Sequence, residues 1–167
     1  DVSALALGAG KSVYTEKPLG VTLDECDRLI ALADQHGVRL GSAPDTFLGA
    51  GIQTARQAID AGLIGHPVSA FAQLLRPGPE AWHPSPAFIY ATGAGPVLDI
   101  GPYYVTALVT LLGPVDRVTA LGTNPVPARH IGTGPRAGQT FRSAVDTDVR
   151  ALLEVGPVAV ALTLTYD

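Results

Sequence analysis

Three short segments of the chain carry side chains that can do acid–base chemistry on a hydroxylated ligand. The first is Glu16-Lys17-Pro18, which follows a short β-prone run at Val13 and Tyr14. Lys17 is one of two lysines in a chain with nine arginines, and an ammonium can change its protonation where a guanidinium cannot. The alternative is a surface turn in which Glu16 and Lys17 form a solvated pair.

The second segment is GAGPVLDIGPYY, which contains Asp99 and Tyr103. We expect Asp99 to be the N-cap of a helix with Pro102 in its first turn, where the missing N–H costs little. The two side chains then lie four residues apart near one face, where a carboxylate and a phenol can orient a hydroxylated ligand and exchange a proton with it. The alternative is a capping aspartate followed by a packed tyrosine.

The third segment is Trp82-His83 in the proline-rich stretch RPGPEAWHPSP. These two rings either line a pocket the size of a sugar or form an aromatic plug over a core edge. The four histidines have no metal-ligand spacing among themselves or with Cys26, so we predict no metal site. Cys26 lies on the apolar stripe of a predicted helix, which indicates a buried structural thiol.

A strand–helix–strand pattern over residues 13–43 must position the first segment. Its helix, TLDECDRLIALADQHG, begins with a capping box from Thr22 to Glu25 and ends at Gly37. Such βαβ units form parallel sheets, whose ligands bind at the carboxyl ends of the strands. The sequence therefore predicts that Lys17 lies at a ligand-binding edge.

A different pattern follows and must position the other two segments. After a second long helix, GAGIQTARQAIDAGLIG, β-prone runs begin at PVSAFAQLL and recur at residues 115–121, 145–155 and 158–166. These runs look antiparallel, and Gly156-Pro157 predicts a hairpin. We expect one helix near residues 103–112, a glycine- and proline-rich loop at residues 122–140, and a domain boundary near residue 45.

Charge and hydropathy exclude two classes of partner. The formal net charge is −4, the pI is near 5.4, and the basic residues are scattered, so we predict no nucleic-acid binding and no binding to anionic membranes. The apolar runs are far shorter than the roughly 20 residues that a membrane span needs. We predict a soluble, cytoplasmic protein.

Five segments in order and spacing resemble the family of glucose–fructose oxidoreductase and inositol dehydrogenase (Gfo/Idh/MocA): AGKSVYTEKPLG, TLDECDRLIALADQHGV, ARQAIDAGLIGHPV, GAGPVLDIGPYY and LLGPVDRV. The resemblance covers essentially the whole chain. It implies an α/β fold with an α+β part. Residues 1–45 would be the C-terminal remnant of a Rossmann parallel sheet, and residues 46–167 an open, mainly antiparallel sheet with helices on one face.

The resemblance also implies an activity, which is hydride transfer between NAD or NADP and a sugar, cyclitol or related hydroxy compound. Lys17 matches the EKP lysine that contacts the reacting oxygen, and Asp99 matches the active-site aspartate. Tyr103 stands where many members have histidine, but two branches of the family use an acid/base tyrosine there. The implied catalytic residues are Lys17, Asp99 and Tyr103. The implied cofactor-binding residues are Glu16, Lys17 and Pro18. The implied substrate-binding residues are Trp82, His83, Asp99 and Tyr103.

The glycine fingerprint of dinucleotide binding, G-x-G-x-x-G, follows no predicted strand in this sequence, and the family carries it further upstream. We therefore expect residues 1–45 to be the C-terminal part of a dinucleotide-binding domain, and residues 46–167 to be an incomplete substrate and oligomerisation domain. Such a fragment would lack turnover by itself, while the full-length protein would be a homo-oligomer. Two alternatives stay open, a non-catalytic sugar- or nucleotide-sensing protein of the same fold and a stand-alone ligand-binding domain.

Overall fold

The structure is a computed structural model that describes residues 2–167, and the chain divides after Asp45 into two compact units. The helices are α1 (Val2–Gly8), α2 (Leu23–His36), α3 (Ala50–Asp60), α4 (Gly95–Asp99) and α5 (Gly101–Leu112). The strands are β1 (Val13–Thr15), β2 (Leu40–Ser42), β3 (Ser69–Leu75), β4 (Arg117–Thr123), β5 (Ala128–His130), β6 (Thr140–Arg142), β7 (Asp148–Val155) and β8 (Val158–Thr165). Short 3-10 turns lie at Thr46–Leu48, Pro79–Ala81 and Pro86–Tyr90.

The first unit is the predicted strand–helix–strand, with α1 packed against α2. Thr22 caps α2 by accepting a hydrogen bond from the Glu25 N–H at 3.2 Å, as the capping box predicts. The Glu25 carboxylate accepts in return from the N–H of Val21, one residue before the cap, at 2.9 Å. Gly37 ends the helix with φ at 61°, a left-handed conformation that glycine adopts without steric cost. Strands β1 and β2 pair in parallel, as predicted. Leu7, Leu29 and Ala33 form the buried core of this unit.

The second unit contains a four-stranded sheet in the order β3-β8-β7-β4. The β7–β8 hairpin turns at Gly156 and Pro157, and β4 pairs with β7 antiparallel, as predicted. The expectation that β3 is also antiparallel was wrong, because β3 pairs in parallel with β8. A two-residue hairpin forces antiparallel pairing, whereas the long crossover from β3 to β8 carries no such constraint. The sheet is therefore mixed but mainly antiparallel.

One face of this sheet is covered and the other is open. Leu108 of α5 packs on Val160, Leu162 and Leu164 of β8, and the alternation along β8 turns these side chains to the same face. On the opposite face, Leu152 is 63% exposed. The fold class predicted from the sequence is thereby confirmed.

Two smaller expectations were wrong. Residues 122–140 are not simply a loop, because β5 lies within them and pairs antiparallel with β6, which begins at Thr140. These strands have three residues each, too short for any periodic pattern, so only their pairing reveals them. Cys26 is half-buried rather than buried, because it lies in the first turns of α2. Among residues 2–167, no helix is both long enough and apolar enough to cross a membrane.

Candidate functional site

The carboxyl ends of β1 and β2 lie side by side in the first unit. Thr15 is in register with Ser42, and the next residues along each strand lead to the cis peptides Lys17–Pro18 and Ala43–Pro44. The Lys17 side chain is half-buried. The first unit therefore places an ammonium group at the strand end where parallel sheets bind ligands. Glu16 before it is exposed, and Pro18 after it is half-buried.

The second unit places Asp99 and Tyr103 on two consecutive helices. Asp99 is the last residue of α4, and Ile100, not Asp99, is the N-cap of α5. The predicted capping role was therefore wrong. Pro96 explains the shift, because proline is favoured at the first positions of a helix and lies in the first turn of α4, which begins at Gly95. Tyr103 lies in the first turn of α5, where its N–H donates to the Ile100 carbonyl at 3.0 Å.

The Asp99 carboxylate has a buried partner that the sequence patterns did not identify. Tyr166 directly follows β8, and its side chain is 1% exposed. Its hydroxyl donates a hydrogen bond to Asp99 Oδ2 at 2.6 Å. Alternation along β8 predicts a buried strand end, but no local signal predicts a partner 67 positions away. Asp99 is half-buried, so its carboxylate is held from the core side.

A glycine allows this approach. Gly101 is buried at the start of α5, and a Cβ atom added there would lie 3.2 Å from Leu164 Cδ1. Because nine in ten real Cβ contacts are longer, the missing side chain lets α5 begin directly against β8. The D-I-G sequence thus sets Asp99 beside the end of that strand.

Two buried tyrosines donate to carboxylates in this region. Burial, and next the hydrogen bond to Asp99, raise the pKa of the Tyr166 hydroxyl far above its usual range. Burial, and next the hydrogen bond to Glu80, raise the pKa of the Tyr90 hydroxyl in the same way. Both phenols therefore stay protonated at neutral pH and act as donors in these two bonds.

A buried ionic cluster, which we call the Arg129 cluster, lies behind Tyr166 and consists of Arg129, Glu80, Thr147 and Asp167. The Arg129 guanidinium pairs with Glu80 at 3.1 Å and with the Asp167 carboxylate, and it donates to the Thr147 hydroxyl at 3.0 Å. It also donates to the Tyr166 carbonyl at 3.0 Å. This cluster therefore fixes the backbone that carries the Tyr166 hydroxyl.

Trp82 and His83 lie together at the surface of the second unit. Their rings meet edge to face at 5.6 Å, and His83 meets Phe88 in the same way at 5.4 Å. Trp82 is 60% exposed, so it does not act as a plug over the core. The Ser85 N–H donates to His83 Nδ1 at 3.0 Å, which leaves the Nε2 edge of the ring for other contacts.

The second unit also contains a cleft that lies apart from these residues. A cleft of about 720 Å³ is lined by α4 residues and by residues of β4 and the 143–146 segment, but none of the sequence-predicted site residues is among them. Within residues 2–167, no group of three or more histidine, cysteine or acidic side chains is arranged to hold a metal ion.

The first unit can hold one edge of a nicotinamide cofactor. Its parallel strands end together, and a half-buried ammonium is a suitable donor for a polar cofactor group. Neither β1 nor β2 leads into a G-x-G-x-x-G turn, which is the element that contacts a pyrophosphate. The described residues of the first unit therefore offer a donor for a polar group of the cofactor but not the glycine turn that contacts its phosphates.

Two family models match the chain, one on each side of the division after Asp45. Residues 1–43 match a model described as "Oxidoreductase family, NAD-binding Rossmann fold". Residues 52–166 match the GFO/IDH/MocA C-terminal domain. The chain belongs to the GFO/IDH/MocA oxidoreductase family. This family assignment supports NAD or NADP as the cofactor, as the sequence predicted.

Relatives of this chain include sugar oxidoreductases. A D-xylose dehydrogenase from Paenarthrobacter nicotinovorans is 27% identical over 90% of this chain. A 1,5-anhydro-D-fructose reductase from Ensifer adhaerens is 30% identical over 84% of it. The chain spans 39% and 43% of these two relatives. The WlbA dehydrogenase from Bordetella pertussis, solved with NADH and UDP-GlcNAcA, has the same fold, with a TM-score of 0.82 at 20% identity over 99% of this chain and 47% of that one.

Proposed function

We propose that the complete protein transfers a hydride between NAD or NADP and a sugar, cyclitol or related hydroxy compound. Its relatives are named for such substrates, D-xylose and 1,5-anhydro-D-fructose among them. In this proposal residues 1–45 are the C-terminal part of the dinucleotide-binding domain, and residues 46–167 are the substrate and oligomerisation domain of a homo-oligomer.

Each site residue has one chemical role in the proposal. Hydride acceptance or donation is the chemistry that NAD or NADP supplies when bound. Tyr103 exchanges the proton on the substrate hydroxyl or carbonyl, Lys17 polarises that oxygen, and Asp99 orients the substrate. Glu16 and Pro18 flank Lys17 and contact the cofactor.

Trp82 and His83 contact the substrate in this proposal. An exposed aromatic ring can pack on the apolar face of a sugar, and the His83 Nε2 edge can bind a hydroxyl group. The edge-to-face contacts of His83 with Trp82 and Phe88 restrict its ring, so these residues present a defined surface to a ligand.

One observation carries the proposal. A carboxylate held by a buried phenol, Asp99 with Tyr166, lies one helical turn before Tyr103, at the start of α5. A merely structural aspartate at this place would be expected to cap a helix, but α5 has no side-chain cap at all. The carboxylate is thus held by Tyr166 and not by a capping bond to α5, which supports a role toward a ligand.

The test is turnover by the complete protein. We would follow the absorbance of the reduced nicotinamide with D-xylose, inositol or 1,5-anhydro-D-fructose as the substrate. Each substrate would be tested once with NAD and once with NADP, in the oxidised and in the reduced form. Lys17→Ala and Tyr103→Phe should each lower kcat by roughly 10²-fold while changing the KM of the nucleotide much less.

The chain offers a matched control for each change. Lys11 is exposed and lies just before β1, so Lys11→Ala should leave turnover unchanged. Tyr104 packs against the core of the second unit, so Tyr104→Phe should also leave it unchanged. Near-normal turnover in Lys17→Ala or Tyr103→Phe would refute the assignment. Calorimetric binding of a sugar without turnover by the wild type would favour the sensing protein instead.

A further inference from the structure

Tyr166 is held both at its backbone and at its ring. Its N–H donates to the Thr147 carbonyl at 2.8 Å, and its carbonyl accepts from Arg129 Nη1 at 3.0 Å. Its ring packs edge to face on Tyr90, with 6.0 Å between the ring centres. Backbone and ring are therefore both fixed, and the hydroxyl has one defined direction.

That direction ends at Asp99. The hydroxyl donates to Oδ2 at 2.6 Å, a distance typical of a charge-assisted O–H bond to a carboxylate. Because the phenol is buried and stays protonated, its one O–H is donated to Asp99, while its oxygen accepts a hydrogen bond from Arg76. A carboxylate held at one oxygen cannot rotate freely about its terminal torsion, which is otherwise broad.

We propose that Tyr166 is a positioning residue that sets the orientation of the Asp99 carboxylate toward the substrate. This role rests on the proposed function, in which Asp99 orients the hydroxylated substrate. Correct orientation matters because misplacement of a bound substrate by about 1 Å can cost on the order of 10² in rate. Tyr166 itself need not touch the substrate, since its hydroxyl is directed to Asp99.

The first measurement compares two buried tyrosines that lose the same single atom. Tyr166→Phe removes the hydroxyl's bonds to Asp99 and Arg76. Tyr90, in the same apolar cluster, loses its bond to Glu80 in Tyr90→Phe. Tyr166→Phe should lower kcat/KM for the hydroxylated substrate by roughly tenfold, mostly through kcat, with the nucleotide KM unchanged. Tyr90→Phe should stay within about twofold of the wild type.

A double-mutant cycle separates positioning from general damage. If Tyr166 acts through Asp99, adding Tyr166→Phe to Asp99→Ala should cost less than about twofold beyond Asp99→Ala alone. A loss caused by a loosened fold would instead appear undiminished in the Asp99→Ala background.

A third measurement needs neither substrate nor cofactor. The Tyr166 hydroxyl proton, buried in a short bond, should give a slowly exchanging downfield NMR resonance. That resonance should vanish in Tyr166→Phe and move in Asp99→Asn, while Tyr90→Phe should leave it in place.

The possible outcomes separate the two proposals. A wild-type protein that turns over none of the three test compounds overturns the proposed function, and this role with it. An active wild type overturns the positioning role alone if Tyr166→Phe behaves like Tyr90→Phe, if the two effects in the cycle simply add, or if the hydroxyl resonance does not respond to Asp99→Asn. The positioning role is supported if Tyr166→Phe lowers mainly kcat, if this loss largely disappears in the Asp99→Ala background, and if the hydroxyl resonance moves in Asp99→Asn.

Discussion

Replacing Arg129 with alanine should destabilise the second unit by about 3–5 kcal/mol, because it removes the cation from a buried ion cluster. The Arg129 side chain is 5% exposed, and those of Glu80 and Asp167 are 16% and 13% exposed. The substitution leaves both carboxylates in a poorly hydrated place without their cation. Glu80 still accepts a hydrogen bond from the Tyr90 hydroxyl, and Asp167 still accepts one from the Thr147 hydroxyl. Because each carboxylate retains this partner, we expect the loss of stability to stay within this range.

The assay is urea and thermal unfolding followed by circular dichroism. A loss of this size should lower Tm by about 10–20 °C for a unit of this length. Arg117→Ala is the matched control, because the Arg117–Glu154 pair has a similar distance of 2.9 Å but side chains that are 72% and 53% exposed. The control should cost less than about 1 kcal/mol, since water screens an exposed pair.

A second substitution checks the reason for the loss. If unpaired charge is the cause, Glu80→Gln added to Arg129→Ala should recover part of the stability, because the amide keeps an acceptor for Tyr90 without the charge. A loss in Arg129→Ala no larger than that in Arg117→Ala would refute the reasoning. It would mean that water reaches the cluster and replaces the guanidinium.

Two further substitutions test packing in the second unit, each against an exposed counterpart. Gly101→Val should cost about 1–3 kcal/mol in urea unfolding, because its new atoms meet Leu164, whereas Gly51→Val should cost nothing, since no atom lies within 4 Å of a Cβ there. Leu162→Ala should cost about 2–5 kcal/mol, and the exposed Leu152→Ala roughly 0.5 kcal/mol or less. Equal losses within either pair would contradict the packing described.

The sequence predicted the helix ends of α2 and the β7–β8 turn, because each is determined by residues close together in the chain. Thr22 and Glu25 are three residues apart, Gly37 ends α2 by its own backbone conformation, and Gly156 lies inside a hairpin turn. Each of these depends on neighbours a few residues away, so the sequence contains the whole cause. The order of the segments also predicted the family, and with it a small parallel sheet followed by a mainly antiparallel one.

Two structural details that the sequence did not predict depend on partners far away along the chain. The parallel pairing of β3 is decided by what lies beside it in space, and so is the bond between Tyr166 and Asp99. The capping role predicted for Asp99 failed for a local reason, because α4 begins at Gly95, with Pro96 in its first turn, and contains Asp99 as its last residue. The roles of Lys17 and Tyr103 remain predictions until turnover is measured.

The parallel pairing of β3 with β8 has a consequence for biosynthesis. Each β3 residue pairs with a residue 90 positions later, as Ser69 does with Ala159. At about 5–20 residues per second, a ribosome needs roughly 5–20 s to deliver that partner. During this interval the nascent β3, which bears the exposed Phe71 and Leu75, has an unpaired edge. It is therefore the strand of this sheet at which chaperone binding during translation should concentrate.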